Sequence, residues 1–335
     1  MKKVLFILKK RNIYSDDGNY STVDSGLYNS AKFVNEMLAT NCVKSTLVQV
    51  VDNNEIDKYC SIHKPDIVII EAIWVVPSKF EILQKLHPKI KWIIRLHSEL
   101  PFLANEGIAI TWLKEYVKYK NVYIGSNSIY LIDALSPYLD INIIYLPNYY
   151  KVTSESLTTK ISNDINIGIF GAIRPMKNTL TQAVAAINYA DSINKKLILH
   201  VNSGRVEQKG ENVLKNLKAL FIDSKHELVE HGWLKRDDFM DLIGEMDICL
   251  QVSLTETYNI VAADVINKGV PVVTSNEIPF VNYFSTVKSN KDVTNMMMAI
   301  HLNLKFKFLT KVNKLLLMIN SRRAKMVWLR FLNRL

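Results

Sequence analysis

The segment Ser253–Pro271, SLTETYNIVAADVINKGVP, holds the residues best suited to chemistry. Glu256 follows the apolar run Asp247–Val252, and Asp264 lies eight positions further on. On one helix these carboxylates would diverge by about 80° at 3.6 residues per turn. With Glu256 in a loop that leads into a helix, both can face one ligand. The backbone N–H groups near Thr257, Tyr258, Asn259 and Ile260 would then open that helix, and its positive dipole end favours a phosphate. A second segment, Gly171–Asn178 (GAIRPMKN), follows the apolar run Ile165–Phe170 and brings Arg174 and Lys177. Cations fixed in this way stabilise negative charge developing on a departing oxygen. A third, Arg95–Glu99 (RLHSE), ends an apolar run and offers His97 and Glu99. The purely structural alternatives are two surface cations at a helix start and a hydrogen-bonded core histidine. GxGxxG, GxxxxGK[ST] and HExxH are all absent, so a dehydrogenase or P-loop NTPase would lack its fingerprint.

These residues must be held by the elements around them. Val4–Leu8, Thr46–Val51, Ile67–Glu71, Trp92–Leu96, Val122–Gly125 and Asn142–Leu146 read as buried strands. Helical periodicity covers Gly26–Leu38 and Lys79–Leu86. A second series has strands at Ile165–Phe170, Leu197–Val201, Glu227–Glu230, Asp247–Val252 and Pro271–Thr274. Its helices are expected near Asn178–Ala190, Glu211–Phe221, Asp237–Ile243 and Ile260–Lys268. Strands flanked by helices imply parallel sheets covered on both faces. The polar stretch from Lys151 separates the two series. The expected organisation is an α/β protein with a Rossmann-like domain over 1–150, a linker over 151–164, a second Rossmann-like domain over 165–304 and a basic terminal helix over 305–335. A ligand cleft would lie at the carboxyl ends of the strands.

A chain of 335 residues with 48% hydrophobic and 22% charged residues suits two globular domains. Its three cysteines, Cys42, Cys60 and Cys249, form no CxxC pair, which argues against a disulfide framework or thiolate metal site and for a reducing compartment. No apolar run approaches the ~20 residues of a bilayer span, and the start does not fit a secretory signal.

The net charge is +10, and its location matters more than its size. No acidic residue follows Asp292, while nine lysines and arginines lie between Lys305 and Arg334. Apolar residues Phe308, Val312, Leu315, Leu316, Ile319, Val327, Phe331 and Leu335 recur at helical spacing and are expected to pack on the body of the protein. Lys307, Lys311, Lys314, Arg322 and Lys325 form a separate stripe suited to a polyanion, either nucleic acid or an anionic membrane surface.

The Glu256–Asp264 frame, with Ser253 upstream and Gly269 and Pro271 downstream, resembles the GT-B glycosyltransferases with an E-x7-E motif, a family-four-like group of retaining enzymes. GAIRPMKN is similar to that group's G-R-x-x-P-x-K-G segment, with Pro175 and Lys177 in register. The sequence departs from the pattern at Ala172, Asn259 and Asp264. Ser25–Gly26–Leu27 looks like the family's glycine loop, Arg95–Glu99 its histidine segment, Leu146–Asn148 its P-N segment and Gly232 a glycine near the nucleotide base.

The resemblance implies a GT-B fold, two Rossmann-like domains with parallel sheets facing across a cleft, with the final helix crossing back to pack on the first domain. It further implies that Glu256 holds donor-sugar hydroxyls, Asp264 the ribose, and Lys177 with Arg174 the diphosphate. His97 would contact sugar or acceptor, and Gly26, Gly171, Gly232 and Thr257–Ile260 would line the donor. The runs ILKKRN, SGLYNSAKFVNEML and IRLHSELPF look like glycosyltransferases of large tailed phages, some of which glycosylate hydroxymethylated cytosine in DNA. The expectation is retaining transfer from a nucleotide-sugar, UDP-linked by preference, in the cytoplasm and without resident cofactor or metal. Hydroxymethylated cytosine is the favoured acceptor, with Glu99 and the basic stripe on the acceptor side. A lipid-linked or surface glycan at a membrane is the rival, and a non-catalytic nucleotide-sugar binder the third reading.

Overall fold

A computed structural model describes residues 1–10, 25–153 and 163–334, and the backbone of 13–14 and 20–21. The expected linker falls largely outside these residues. The first half runs β1 (Lys3–Lys9), β2 (Ile13–Tyr14), β3 (Tyr20–Ser21), α1 (Gly26–Ala39), β4 (Lys44–Val50), α2 (Glu55–His63) and β5 (Ile67–Glu71). It continues with α3 (Lys79–Leu86), β6 (Lys91–Leu96), α4 (Leu100–Leu103), α5 (Ala109–Tyr116), β7 (Val122–Ser126), α6 (Ile129–Leu139) and β8 (Ile144–Tyr145). The second half runs β9 (Ile165–Ile169), α7 (Thr179–Ser192), β10 (Leu197–Asn202), α8 (Gly210–Ala219), β11 (Glu227–His231) and α9 (Arg236–Gly244). It ends with β12 (Ile248–Gln251), α10 (Ile260–Lys268), β13 (Val272–Ser275), β14 (Thr286–Val287), α11 (Val293–Lys305) and α12 (Phe308–Arg334).

Two six-stranded sheets result, ordered β4-β1-β5-β6-β7-β8 and β11-β10-β9-β12-β13-β14. Every pairing within them is parallel. Central strands read as unbroken apolar runs because helices cover both faces. All five residues of β5 are buried, including Glu71 at its carboxyl end. The chain divides into two compact units: 1–10, 25–151 and 321–334 form one, and the described residues of 12–24 and 152–320 the other. In the first unit, Leu5, Ile7, Val68 and Ile70 face one core while Val4, Phe6, Ile67 and Ile69 face another. The second unit's principal core gathers Ile167, Leu199, Leu250 and Val273 against Ala186 and Ile300.

The terminal helix corrects one expectation. Its buried face is Leu309, Thr310, Asn313, Leu317, Ser321, Ala324, Trp328, Phe331 and Leu332, whereas Phe308, Val312 and Leu315 are exposed. Polar bonding sets that rotation. Asn313 Oδ1 accepts from Asn282 N (2.8 Å) and Asn282 Nδ2 (2.6 Å), and Asn313 Nδ2 donates to Ser285 Oγ (3.1 Å). Turning Phe308 and Val312 inward would strand these groups in a buried setting, which costs more than leaving a few apolar side chains wet. In the first unit Trp328 packs on Phe6 (5.9 Å between ring centroids) and donates Nε1–H to Pro147 O (2.8 Å).

Candidate functional site

In its own numbering the second sheet has the order 3-2-1-4-5-6, so its switch point lies between β9 and β12. Ligands of doubly wound sheets bind beyond the carboxyl ends of the strands at that point. The two segments singled out above, Gly171–Asn178 and Ser253–Ile260, are the connections leaving β9 and β12.

The first opens at Gly171, whose φ of +115° suits only glycine and whose N–H is taken by Asn202 Oδ1 (3.0 Å). Pro175–Lys177 forms a single 3₁₀ turn, and Asn178 follows in the left-handed region at φ +56°. Asn178 Nδ2 donates to Val252 O (3.1 Å), and Leu254 N donates to Met176 O (2.9 Å). These bonds lace the two connections together and set Lys177 beside Glu256. The Lys177 ammonium donates to the Glu256 carboxylate, which also accepts from Ser253 Oγ (2.8 Å) and Asn259 Nδ2 (3.2 Å). Both side chains remain partly open, at 16% and 11% exposure.

Asn259, standing where the resembling family has glycine, adopts φ +61° and caps α10 by accepting from Ala262 N (3.0 Å). Asparagine is one of the few side chains that tolerates this conformation, so the turn survives the replacement. Tyr258 is buried against Phe280, leaving its backbone rather than its ring at the helix start. Thr257 and Ile260 are half-buried beside it. Glu277, which sequence reasoning missed, accepts from Glu256 N (2.6 Å) and pins the loop. No spacing pattern marked it, because it follows a different strand, β13.

Two expected donor contacts are engaged elsewhere. Asp264 is buried with Arg236 across it, at 2.5 Å from Nη2 to Oδ1 and 3.3 Å from Nη1 to Oδ2. Its carboxylate is therefore committed to a guanidinium contributed by the start of α9. Arg174 turns to Glu207 (3.5 Å), which Arg205 also holds (2.6 Å), and Arg205 lies over the Trp233 ring (5.0 Å). Gly232 sits beside Trp233 where the chain passes closely over Gly204. A Cβ on Gly204 would come within 2.7 Å of Trp233 N. His200 stacks on His231 at 10° between planes, with His200 Nδ1 3.0 Å from His231 Nε2 and His200 Nε2 3.2 Å from Asn166 Oδ1. Burial and the neighbouring ring push His200 down to about 4.

In the first unit His97 leaves β6 and meets Glu71 at the end of β5. Glu71 also takes Arg95 Nη1 at 3.1 and 3.2 Å. Burial would raise the Glu71 carboxyl, but Arg95 and His97 outweigh it and hold it below the carboxylate range. Burial, reinforced by Arg95, pushes His97 down. Glu99 accepts from Ser128 Oγ, and partial burial pushes its carboxyl up. Gly26 is the first residue of α1, capped by Ser25 Oγ accepting from Tyr28 N (3.2 Å).

Of the basic stripe, Lys307, Lys311 and Arg322 are exposed and Lys325 is half-buried. Lys314 instead turns inward and donates to Asn267 O (2.9 Å) in the last turn of α10, where a cation complements the helix dipole. Among the described residues no group of three His, Cys, Asp or Glu comes together as a metal site, and no helix is long and apolar enough to cross a membrane.

No protein-family profile matches the sequence, and no curated protein matches it. Solved structures do. OtsA, a trehalose-6-phosphate synthase, is similar with a TM-score of 0.71 at 11% identity, over 98% of this chain and 99% of that one. An alpha-glucosyltransferase in complex with UDP and a 13-mer DNA containing an HMU base is similar with a TM-score of 0.64 at 12% identity, over 96% and 94%. S. aureus TarM, in complex with fondaparinux, alpha-GlcNAc-glycerol and UDP, is similar with a TM-score of 0.59 at 13% identity. That match takes in 82% of this chain, which spans only 57% of the TarM chain. At such identities the likeness defines the fold: the chain has the architecture of the GT-B glycosyltransferases.

Proposed function

We propose that the chain is a glycosyltransferase that moves a sugar from a nucleotide-sugar, UDP-linked by preference, to an acceptor hydroxyl with retention at the anomeric carbon. The observation that carries this reading is the Lys177–Glu256 pair at the sheet's switch point, beside the start of α10. An ammonium and helix N–H groups suit a diphosphate, and an adjacent carboxylate suits sugar hydroxyls.

In this reading the bond from the anomeric carbon to the diphosphate oxygen breaks through an oxocarbenium-like transition state. Lys177 stabilises the charge that develops on the leaving oxygen. The acceptor oxygen bonds to the same face, and its proton passes to the departing phosphate. Glu256 orients the sugar, while His97 serves the sugar or acceptor. Asp264 acts through Arg236, and Arg174, turned to Glu207, has the smaller part at the diphosphate.

For the acceptor we put forward hydroxymethylated cytosine in DNA. The reading is supported by the exposed cations Lys307, Lys311 and Arg322 and by the fold shared with an enzyme crystallised on modified DNA. A second reading, a lipid-linked or surface glycan at a membrane face, is favoured by exposed Phe308, Leu315 and Met326 among those cations. Three free cysteines suit the cytoplasm. The deciding experiment presents a panel of UDP-sugars with hydroxymethylcytosine DNA, or with glycolipid vesicles, and follows UDP release. Release that requires the DNA supports the first acceptor, and release that requires the vesicles supports the second. UDP binding without turnover on any pairing would make the chain a sugar-nucleotide binder.

A further inference from the structure

The Glu256 carboxylate is held by more than its ion pair. Lys177 Nζ, Ser253 Oγ (2.8 Å) and Asn259 Nδ2 (3.2 Å) all donate to one oxygen, Oε1. These holds differ in stiffness. Lys177 reaches in on a flexible four-carbon stem, whereas Ser253 and Asn259 are short and buried, at 1% and 6% exposure. The Asn259 amide has only one way to sit. Ala262 N can only donate, so the amide atom that faces it (3.0 Å) is Oδ1. Phe170 O can only accept, so Gln251 turns Nε2 to it (3.0 Å) and offers Oε1 to Asn259 Nδ2 (3.0 Å). One N–H of the Asn259 amide is thus taken by Gln251 and the other by Glu256. A flip would set like groups against each other in a buried setting. Ser253 is tied as well: Asn290 Nδ2 donates to Ser253 O (2.7 Å), and Asn178 Nδ2 donates to Asn290 O (2.6 Å).

We infer that Asn259 is a positioning residue which, with Ser253, keeps the Glu256 carboxylate in place when a diphosphate draws Lys177 away. The inference deepens the proposed function and rests on its reading of Lys177 as the diphosphate cation and Glu256 as the partner of the sugar hydroxyls. A carboxylate held by Lys177 alone would face a conflict on arrival of the donor. It would follow the ammonium and lose the sugar, or stay behind, mostly buried, without a donor. Two neutral donors that cannot move remove that conflict. The side chain that stands where the resembling family has glycine therefore does two things. Its Oδ1 caps α10, and its Nδ2 orients the group that meets the sugar.

The wild-type chain crystallised with UDP should show Lys177 on the diphosphate and Glu256 still accepting from Ser253 and Asn259. A carboxylate that moves with Lys177 would overturn the inference. Asn259→Gly keeps the left-handed turn and most of the cap but removes the amide. Its turnover should fall ~5–20-fold while UDP affinity stays within ~3-fold, because UDP uses the start of α10 but carries no sugar. In a Glu256→Ala background the same change should cost less than ~2-fold. Equal losses in both backgrounds, or UDP binding weakened as far as turnover, would make Asn259 a helix cap only. Asn259→Asp keeps Oδ1 for Ala262 N but turns Nδ2 into an oxygen facing the oxygens of Gln251 and Glu256. It should lose more turnover than Asn259→Gly; a cap-only role predicts wild-type activity instead, since aspartate caps as well as asparagine. If the wild type binds no UDP and turns over no donor, the functional reading fails, and the crystal structure of Asn259→Gly decides the positioning role alone. Glu256 should then leave Ser253 for Lys177, and an unmoved carboxylate would refute that role.

Discussion

Glu256→Gln is the substitution with the most to say, because it should move two measured quantities in opposite directions. Glu256 holds Lys177 in an ion pair whose members are 11% and 16% exposed, and Ser253 and Asn259 add two further bonds. Glutamine keeps the size and an oxygen for Ser253 Oγ but removes the charge. A hydrogen bond to a charged group contributes about 1.5–3 kcal/mol net. Part of that survives through the amide oxygen, so roughly 1–2 kcal/mol of competition for Lys177 disappears. The Lys177 ammonium is then freer to meet a diphosphate, and a negative charge beside that diphosphate is gone. UDP should bind about 5–30-fold tighter. Sugar transfer should fall ~10–100-fold, because the carboxylate that orients the donor hydroxyls is lost. Calorimetric titration with UDP and a coupled UDP-release assay read the two effects. The loop is pinned through Glu256 N by Glu277, so the fold should survive. Weaker UDP binding by a folded variant, or undiminished transfer, would refute the reasoning.

Lys177→Ala should weaken UDP binding ~10–100-fold, whereas Arg174→Ala, whose guanidinium lies on Glu207, should change it less than ~3-fold; titration of both variants checks the order. Transfer should persist in excess EDTA, since Lys177 and a helix start supply the positive charge; loss restored by a divalent cation would refute this. His200, buried neutral with its acidity shifted to about 4, contributes stability above its unfolded value near 6.5, and that stability is lost as pH falls from there through about 4. The loss is about 3 kcal/mol, and the thermal midpoint of His200→Gln should vary less over this window than that of the wild type. Reversing Lys307, Lys311 and Arg322 to glutamate should weaken duplex DNA binding and flatten its log–log salt slope by up to about 2.7, with UDP affinity unchanged. Loss of binding to anionic vesicles with DNA binding intact would move the acceptor to a membrane face.

Local signals were strong wherever burial made a segment uniform. β5 and α3 lie where periodicity puts them, at Ile67–Glu71 and Lys79–Leu86, because an apolar run and an amphipathic stripe each have one stable way to be buried. The same is true of α10, set by Asn259 at its start and Gly269 (φ +89°) at its end. Helices α2, α4, α5, α6 and α11 escaped that reading. Mixed polar composition hides α2, and Pro137 within α6 argues locally against a helix that packing nonetheless supports through Leu131 and Leu135. The Lys177 and Glu256 segments were legible because each carries its own spacing and follows a strand. Their pairing was decided by the sheet order, which sets β9 beside β12 although 79 residues separate the two side chains.

What no local pattern could show is which polar groups would meet once strands far apart in sequence lay side by side. Glu71 reads as the end of an apolar strand, and Arg236 as an ordinary charge at a helix start. Only packing makes the first the partner of Arg95 and His97 and gives the second to Asp264. The terminal helix shows the same division. Its charge and helical length follow from composition, but which face is buried was settled by Asn313 and Trp328 reaching partners on other elements. Apolar burial is non-directional and leaves a mark in the local pattern, whereas a buried hydrogen bond needs a particular partner at a particular distance, and only the tertiary structure supplies one.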